Sequence, residues 1–126
     1  MSGGSGRPVV LVVEDDASVR MTLSYVLEDE GFAVLEAVDG EEAMRLATTE
    51  HPSVILLDSV MPKMGGPEVL AALKEDEATS DIPVFILSGM TPKEDTEWAG
   101  AHFIGKPFSP DDLVERIRSV LADSGE

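Results

Sequence analysis

Two unbroken runs of branched apolar residues limit this chain most: Val9-Val10-Leu11-Val12-Val13 and Val54-Ile55-Leu56-Leu57. Neither alternates apolar with polar residues, as a strand with one wet face would. Both read as strands buried on both faces, the kind found inside sheets that helices cover on each side. Each run ends in acid. Glu14-Asp15-Asp16 follows the first, Asp58 follows the second, and Pro62 soon forbids regular continuation. In open α/β sheets, ligands bind outside the carboxyl ends of the strands, so these acids stand where chemistry is expected.

The rest of the chain fits that frame. A helical pattern begins at Asp16 or Ala17, with Val19, Leu23, Val26 and Leu27 on one face and Gly31 as its stop. Asp16 suits the helix N-cap, since a short carboxylate satisfies free helix N–H groups. Phe32 to Ala37 reads as a second strand. Asp39-Gly40-Glu41-Glu42 carries a capping-box pattern before a helix over Ala43, Met44, Leu46 and Ala47, which His51-Pro52 breaks. Pro67 opens a third helix with Val69, Leu70 and Leu73 on its apolar side. Pro83 to Leu87 is a fourth strand. A short fourth helix runs from Thr91-Pro92 past Trp98 to Gly100. His102-Phe103-Ile104 is a fifth strand. Ser109-Pro110-Asp111-Asp112 caps a last helix whose face is Leu113, Ile117, Val120 and Leu121. Strand and helix alternate five times, which calls for a single doubly wound (βα)5 domain: an α/β fold with a five-stranded parallel sheet, right-handed crossovers and helices on both faces. Residues 1–7 are a flexible lead, residues 8–122 the domain, and residues 123–126 a frayed polar tail.

Composition narrows the function. At 126 residues with 43% apolar content the chain can build one real core. No run approaches the ~18 apolar residues of a membrane span, and the lead has no apolar signal core. The absence of cysteine excludes a disulfide framework, a thiol nucleophile and a zinc–thiolate site, and fits a cytoplasmic protein. A net charge of −16, from 25 acidic against 9 basic residues, argues against direct nucleic-acid binding and suits divalent cations.

The strand ends bring Glu14 and Asp15, then Asp58, Ser88 and Lys106 to one edge. Carboxylates a few ångströms apart repel and need a cation or shared protons. Mg²⁺ is the natural partner, because it takes hard oxygen ligands, keeps several waters, and is usually bound by one or two carboxylates plus phosphate oxygens. Asp15 and Asp58 can supply the carboxylates. Lys106 and the Ser88 hydroxyl suit the remaining oxygens of a phosphoryl group.

At these residues the chain resembles the response-regulator receiver domain of two-component signalling, a flavodoxin-like module. The matching pieces are Leu11-Val12-Val13-Glu14-Asp15, Leu56-Leu57-Asp58-Ser59-Val60-Met61-Pro62, Phe85-Ile86-Leu87-Ser88-Gly89 and Gly105-Lys106-Pro107-Phe108. They stand in order, each at a strand end, and span Val9 to Leu121. The resemblance implies that Asp58 accepts a phosphoryl group from a phosphohistidine of a histidine kinase or phosphotransfer protein. It implies Mg²⁺ on Asp15, Asp58 and the Val60 carbonyl, with Glu14 acting through water. Ser88 and Lys106 would contact the phosphoryl oxygens. Phe103 would be the aromatic switch that turns inward when Ser88 moves, a role that competes with plain core packing. Pro107 matches the family's proline after the lysine. Such a domain is no enzyme beyond its own phosphorylation and dephosphorylation. Its output, to a partner not named by the sequence or to a second copy, leaves through the face of the fourth helix, fifth strand and last helix.

Departures from the family carry expectations of their own. Gly65 replaces the usual Asp of its loop, and Ser88 replaces the commoner Thr. The segment between Ser88 and Lys106 is shorter than in most relatives by about four residues, near one helical turn, so the fourth helix is expected to be short or irregular, and a non-standard partner or dimer mode is the hypothesis that follows. The two lifetime-tuning positions are Val60 and Met90. Neither side chain can orient an attacking water, which implies slow self-dephosphorylation. His51, His102 and Trp98 read as structural, Met61 and Met64 as loop contacts, and Arg20 and Lys63 as solvated. A phosphohydrolase with an Asp nucleophile would want an acid where Val60 stands. A flavin module would be repelled by Glu14-Asp15-Asp16. A phosphorylation-independent interaction module, and a receiver excised from a larger regulator or hybrid histidine kinase, stay open as alternatives.

Overall fold

The computed structural model describes residues 7–58, 66–88, 101–105 and 108–123, with the backbone alone at residues 66, 67, 88 and 123. Strands β1 (Val9–Val13), β2 (Ala33–Ala37), β3 (Val54–Asp58), β4 (Val84–Ser88) and β5 (His102–Gly105) are joined by helices α1 (Ala17–Asp29), α2 (Gly40–Glu50) and α3 (Gly66–Glu75), and α4 (Pro110–Asp123) follows β5. The strands form one parallel sheet in the order β2-β1-β3-β4-β5. This is the expected α/β architecture. The fourth helix expected over Thr91–Gly100, with Trp98, lies outside the described residues, as do the lead up to Gly6 and the last three residues. The last helix runs one residue beyond its expected end, through Asp123. Among the described residues no helix is long and apolar enough to cross a membrane.

The period-two alternation of the strands divides the core in two. Leu11, Val13, Ile55, Leu57, Val84 and Ile86 face Ala43 and Ala47 of α2 and Val69, Leu70 and Leu73 of α3. Val10, Val12, Val54, Leu56, Phe85, Leu87 and Ile104 face Leu23 and Leu27 of α1 and Leu113, Val114 and Ile117 of α4. All five residues of β3 are buried. Each fully buried aliphatic side chain contributes about 1.5–3 kcal/mol of transfer free energy, which fixes the central strands most firmly. Strand boundaries differ slightly from expectation. Phe32 lies outside β2 and packs instead into the α1–α4 face. Pro83 precedes β4 and contributes only its carbonyl, which accepts from the Ile55 N–H at 3.0 Å.

Local chemistry sets the helix ends. Asp16 Oδ1 accepts from the N–H groups of Ser18 at 2.9 Å and Val19 at 3.2 Å, which starts α1 as expected. Past its end, Gly31 holds φ +99°, a conformation that suits a residue without Cβ. Asp39 accepts from the Glu42 N–H at 2.9 Å, while Glu42 reaches back to the Val38 N–H at 2.9 Å, one residue earlier than a capping box would place it. His51 ends α2 in the left-handed region at φ 44° and its Nε2 lies 3.2 Å from Asp81 Oδ1, in keeping with a structural role.

One expectation about α1 needs correction. Leu23 and Leu27 are buried, but Val19 is 38% exposed. Its turn borders an open cleft of about 300 Å³ between α1 and the start of α4, shared with Ser18, Thr22, Phe108 and Pro110. The apolar stripe therefore joins the core only from Leu23 onward. Leu27→Ala should cost about 2–5 kcal/mol in urea denaturation, whereas Val19→Ala should stay within about 0.5 kcal/mol.

Candidate functional site

The sheet register assembles the site. Val13 pairs with Leu57, so one step further along the parallel pair Glu14 comes level with Asp58. Asp58 pairs with Leu87, and Ser88 pairs with Gly105. The chain leaves β1 for β2 on one side and returns to β3 on the other, so the β1/β3 edge is the point at which the winding reverses and a crevice opens. Three strand ends thus deliver the expected residues to one edge by backbone pairing alone.

Carboxylate oxygens of Glu14, Asp15 and Asp58 all lie within 4.8 Å of one another. Glu14 and Asp58 are buried, at 4% and 6% exposure, while Asp15 is open to solvent. Glu14 is fixed from several directions. Its N–H donates to the Ala37 carbonyl at 3.0 Å, and its Oε2 accepts from the Asp16 N–H at 3.2 Å. Its own carbonyl accepts from Arg20 Nη1 at 2.9 Å.

Arg20 corrects the sequence reading, which left it solvated. Its side chain is only 15% exposed, and its Nε also bonds Glu36 Oε1 at 3.1 Å. The second Glu36 oxygen accepts from the Ser24 hydroxyl at 2.9 Å. Helical side chains lean toward the helix N-terminus, so an arginine one turn into α1 reaches back over the end of β1. The signal was its position four residues after the cap. The carboxylate that pairs with it, Glu36, is set only by the tertiary fold.

The donor set is all carboxylate oxygen, which suits a hard divalent cation. Opposite oxygens around octahedral Mg²⁺ stand about 4.2 Å apart, so carboxylate oxygens within 4.8 Å of one another need draw in only slightly to share such an ion. The residues therefore fit Mg²⁺, with two carboxylates buried and one reachable from solvent.

Other site residues are placed as follows. Ser88 is in β4 by its backbone, and its side chain lies outside the described set, as do Val60, Met90, Lys106 and the loop residues Met61, Lys63, Met64 and Gly65. Phe103 is half-buried against the α2–α3 face of the core, and its carbonyl accepts from Arg116 Nη2 of α4 at 2.9 Å. His102 stacks on Phe85 with ring centroids 4.9 Å apart, and the Arg116 guanidinium lies 5.8 Å from the same Phe85 ring. Burial, then the charges of Arg116 and Lys74, hold the His102 imidazole below its ordinary pKa. A lowered histidine favours the folded state above about pH 6.5, its unfolded value, and loses that stability as pH falls through the lower folded value. Between about pH 6.5 and that lower value, denaturation midpoints should therefore fall less steeply with decreasing pH for His102→Gln than for the parent.

Comparison with known proteins identifies the family and the fold. Residues 10–118 match the model of the response regulator receiver domain family. A probable transcriptional regulator, ycf27, from Porphyridium aerugineum is 40% identical over 116 residues, covering 89% of this chain and 47% of that protein. The phosphate regulon transcriptional regulatory protein PhoB of Escherichia coli K12 is 39% identical over 116 residues, covering 89% of this chain and 51% of PhoB. The chain thus spans about half the length of the curated relatives it matches. Among solved structures, the chemotaxis protein CheY4 of Vibrio cholerae superposes with a TM-score of 0.85 at 31% identity, covering 91% of this chain and 99% of that one.

Proposed function

The chain belongs to the response-regulator receiver family of two-component signalling, and from that premise we propose that it is a switch phosphorylated on Asp58. The observation that carries this reading is the convergence of Glu14, Asp15 and Asp58, all within 4.8 Å, at the β1/β3 edge. An Asp58 oxygen attacks the phosphorus of a phosphohistidine on a kinase or phosphotransfer partner. The O–P bond forms as the N–P bond breaks, and the imidazole leaves as the neutral ring once its other nitrogen carries a proton. The product is an aspartyl phosphate.

Asp15, Asp58 and the Val60 carbonyl would hold Mg²⁺, with Glu14 acting through water. When bound, the ion supplies neutralisation of the phosphoryl and carboxylate charges. Ser88 and Lys106 would meet the phosphoryl oxygens. The added charge would bias Ser88 and Phe103, and the Arg116 bond to the Phe103 carbonyl supports a route from β5 to α4. Output would leave through that face, together with the fourth helix expected from the sequence, to a partner or a second copy. The domain would catalyse only its own phosphorylation and dephosphorylation. Its net charge of −16 disfavours direct contact with nucleic acid. The curated relatives are transcriptional regulators, and by that likeness a transcriptional output is the proposed destination, carried by other protein segments.

Intact mass after incubation with Mg²⁺ and acetyl phosphate tests this. A single phosphoryl adduct is expected on the parent and not on Asp58→Asn or without magnesium. With Val60 and Met90 both apolar, the adduct should persist well beyond seconds after the donor is removed. No adduct on folded protein, with either acetyl phosphate or a phosphohistidine donor, would favour a phosphorylation-independent interaction module.

A further inference from the structure

The peptide group that joins Glu14 to Asp15 is gripped through its backbone by a side chain of α1. Its carbonyl, on Glu14, accepts from Arg20 Nη1 at 2.9 Å. The same guanidinium is held 3.1 Å from Glu36 Oε1 on β2, and Ser24 of α1 holds the other Glu36 oxygen at 2.9 Å. We infer that Arg20 is a positioning residue for divalent-cation binding, acting by fixing the plane of the Glu14–Asp15 peptide. This inference rests on the divalent-cation reading of the acidic pocket.

The physical case has two parts. First, the direction in which Asp15 leaves the strand end depends on the peptide plane just before it, and β1 ends at Val13, so ladder pairing no longer fixes that plane. Arg20 supplies the missing restraint at the carbonyl, as the Ala37 carbonyl does at the Glu14 N–H. Second, the planar fork of arginine can serve a carbonyl and a carboxylate at once, which the single ammonium of lysine does not reproduce. The Glu36 carboxylate also balances the guanidinium charge, so the restraint reaches the pocket without a net added cation.

Sign separates this role from a plain charge effect. Deleting a cation beside an acidic pocket should tighten divalent binding if Arg20 acts through its field alone. Losing a positioning contact should weaken binding, typically by 10–100-fold for partners that orient metal ligands. Mn²⁺ can serve as the probe, with affinity read by calorimetry and by the loss of its free-ion electron paramagnetic signal.

Arg20→Ala should weaken Mn²⁺ binding by about tenfold or more. Arg20→Lys, which keeps the charge and loses the fork, should also weaken it and serves if the alanine variant does not fold. Arg118→Ala is the control for stability. Arg118 makes a matching clamp far along the helix pair, with Nη2 2.8 Å from the Glu30 carbonyl and 3.4 Å from Glu30 Oε1, and its loss should leave Mn²⁺ affinity unchanged. A parent that binds Mn²⁺ while the folded Arg20 variants bind it equally or more tightly would overturn the positioning role alone. A parent with no saturable site would overturn the divalent reading and this inference with it.

Discussion

Everything at the acidic edge depends on the parallel pairing of β1 with β3. Glu14 and Asp58 are both buried and nearly level, and left to themselves they would move apart. They cannot, because the residues that precede them, Val10 to Val13 and Val54 to Leu57, are buried on both faces of the sheet. Among the described residues, α2 and α3 cover one face and α1 and α4 the other. The apolar core thus holds the carboxylates in an arrangement that solution electrostatics opposes. That opposition is what a divalent cation would relieve.

Around this pocket the restraints come from different layers. The ladder ends at Val13, after which Glu14 is held by the Ala37 carbonyl, the Asp16 N–H and Arg20. Asp16 does two things there: its side chain starts α1 while its N–H holds the Glu14 carboxylate. The loop between β1 and α1 is therefore tied at both ends within a few residues. On the far side, Arg116 ties α4 to the carbonyl of Phe103 on β5. That bond joins the strand at the edge of the sheet to the surface helix beside it.

Much of this was legible in the sequence, for reasons that differ by residue. Val9–Val13 and Val54–Leu57 could be read as central strands because continuous branched apolar runs have few other uses. Asp16 and Asp39 could be read as caps because capping is local chemistry. The convergence of Glu14, Asp15 and Asp58 followed from strand ends in an alternating fold. Val19 was misread because periodicity gives a face but not how far the opposing helix extends along it. Arg20 was misread because its partners, the Glu14 carbonyl and Glu36, lie just past β1 and on β2, strands that only the fold brings beside α1. Nothing in the local pattern distinguishes a solvated arginine from one bridging α1, β1 and β2.

The central claim is that the fold holds mutually repelling carboxylates ready for a divalent cation. Urea midpoints with and without Mg²⁺, at matched ionic strength, test it most directly, since a ligand that binds only the folded state stabilises it by mass action. The parent should gain stability with Mg²⁺, and Asp58→Asn should gain much less. Equal midpoints for the parent with and without Mg²⁺ would contradict the account.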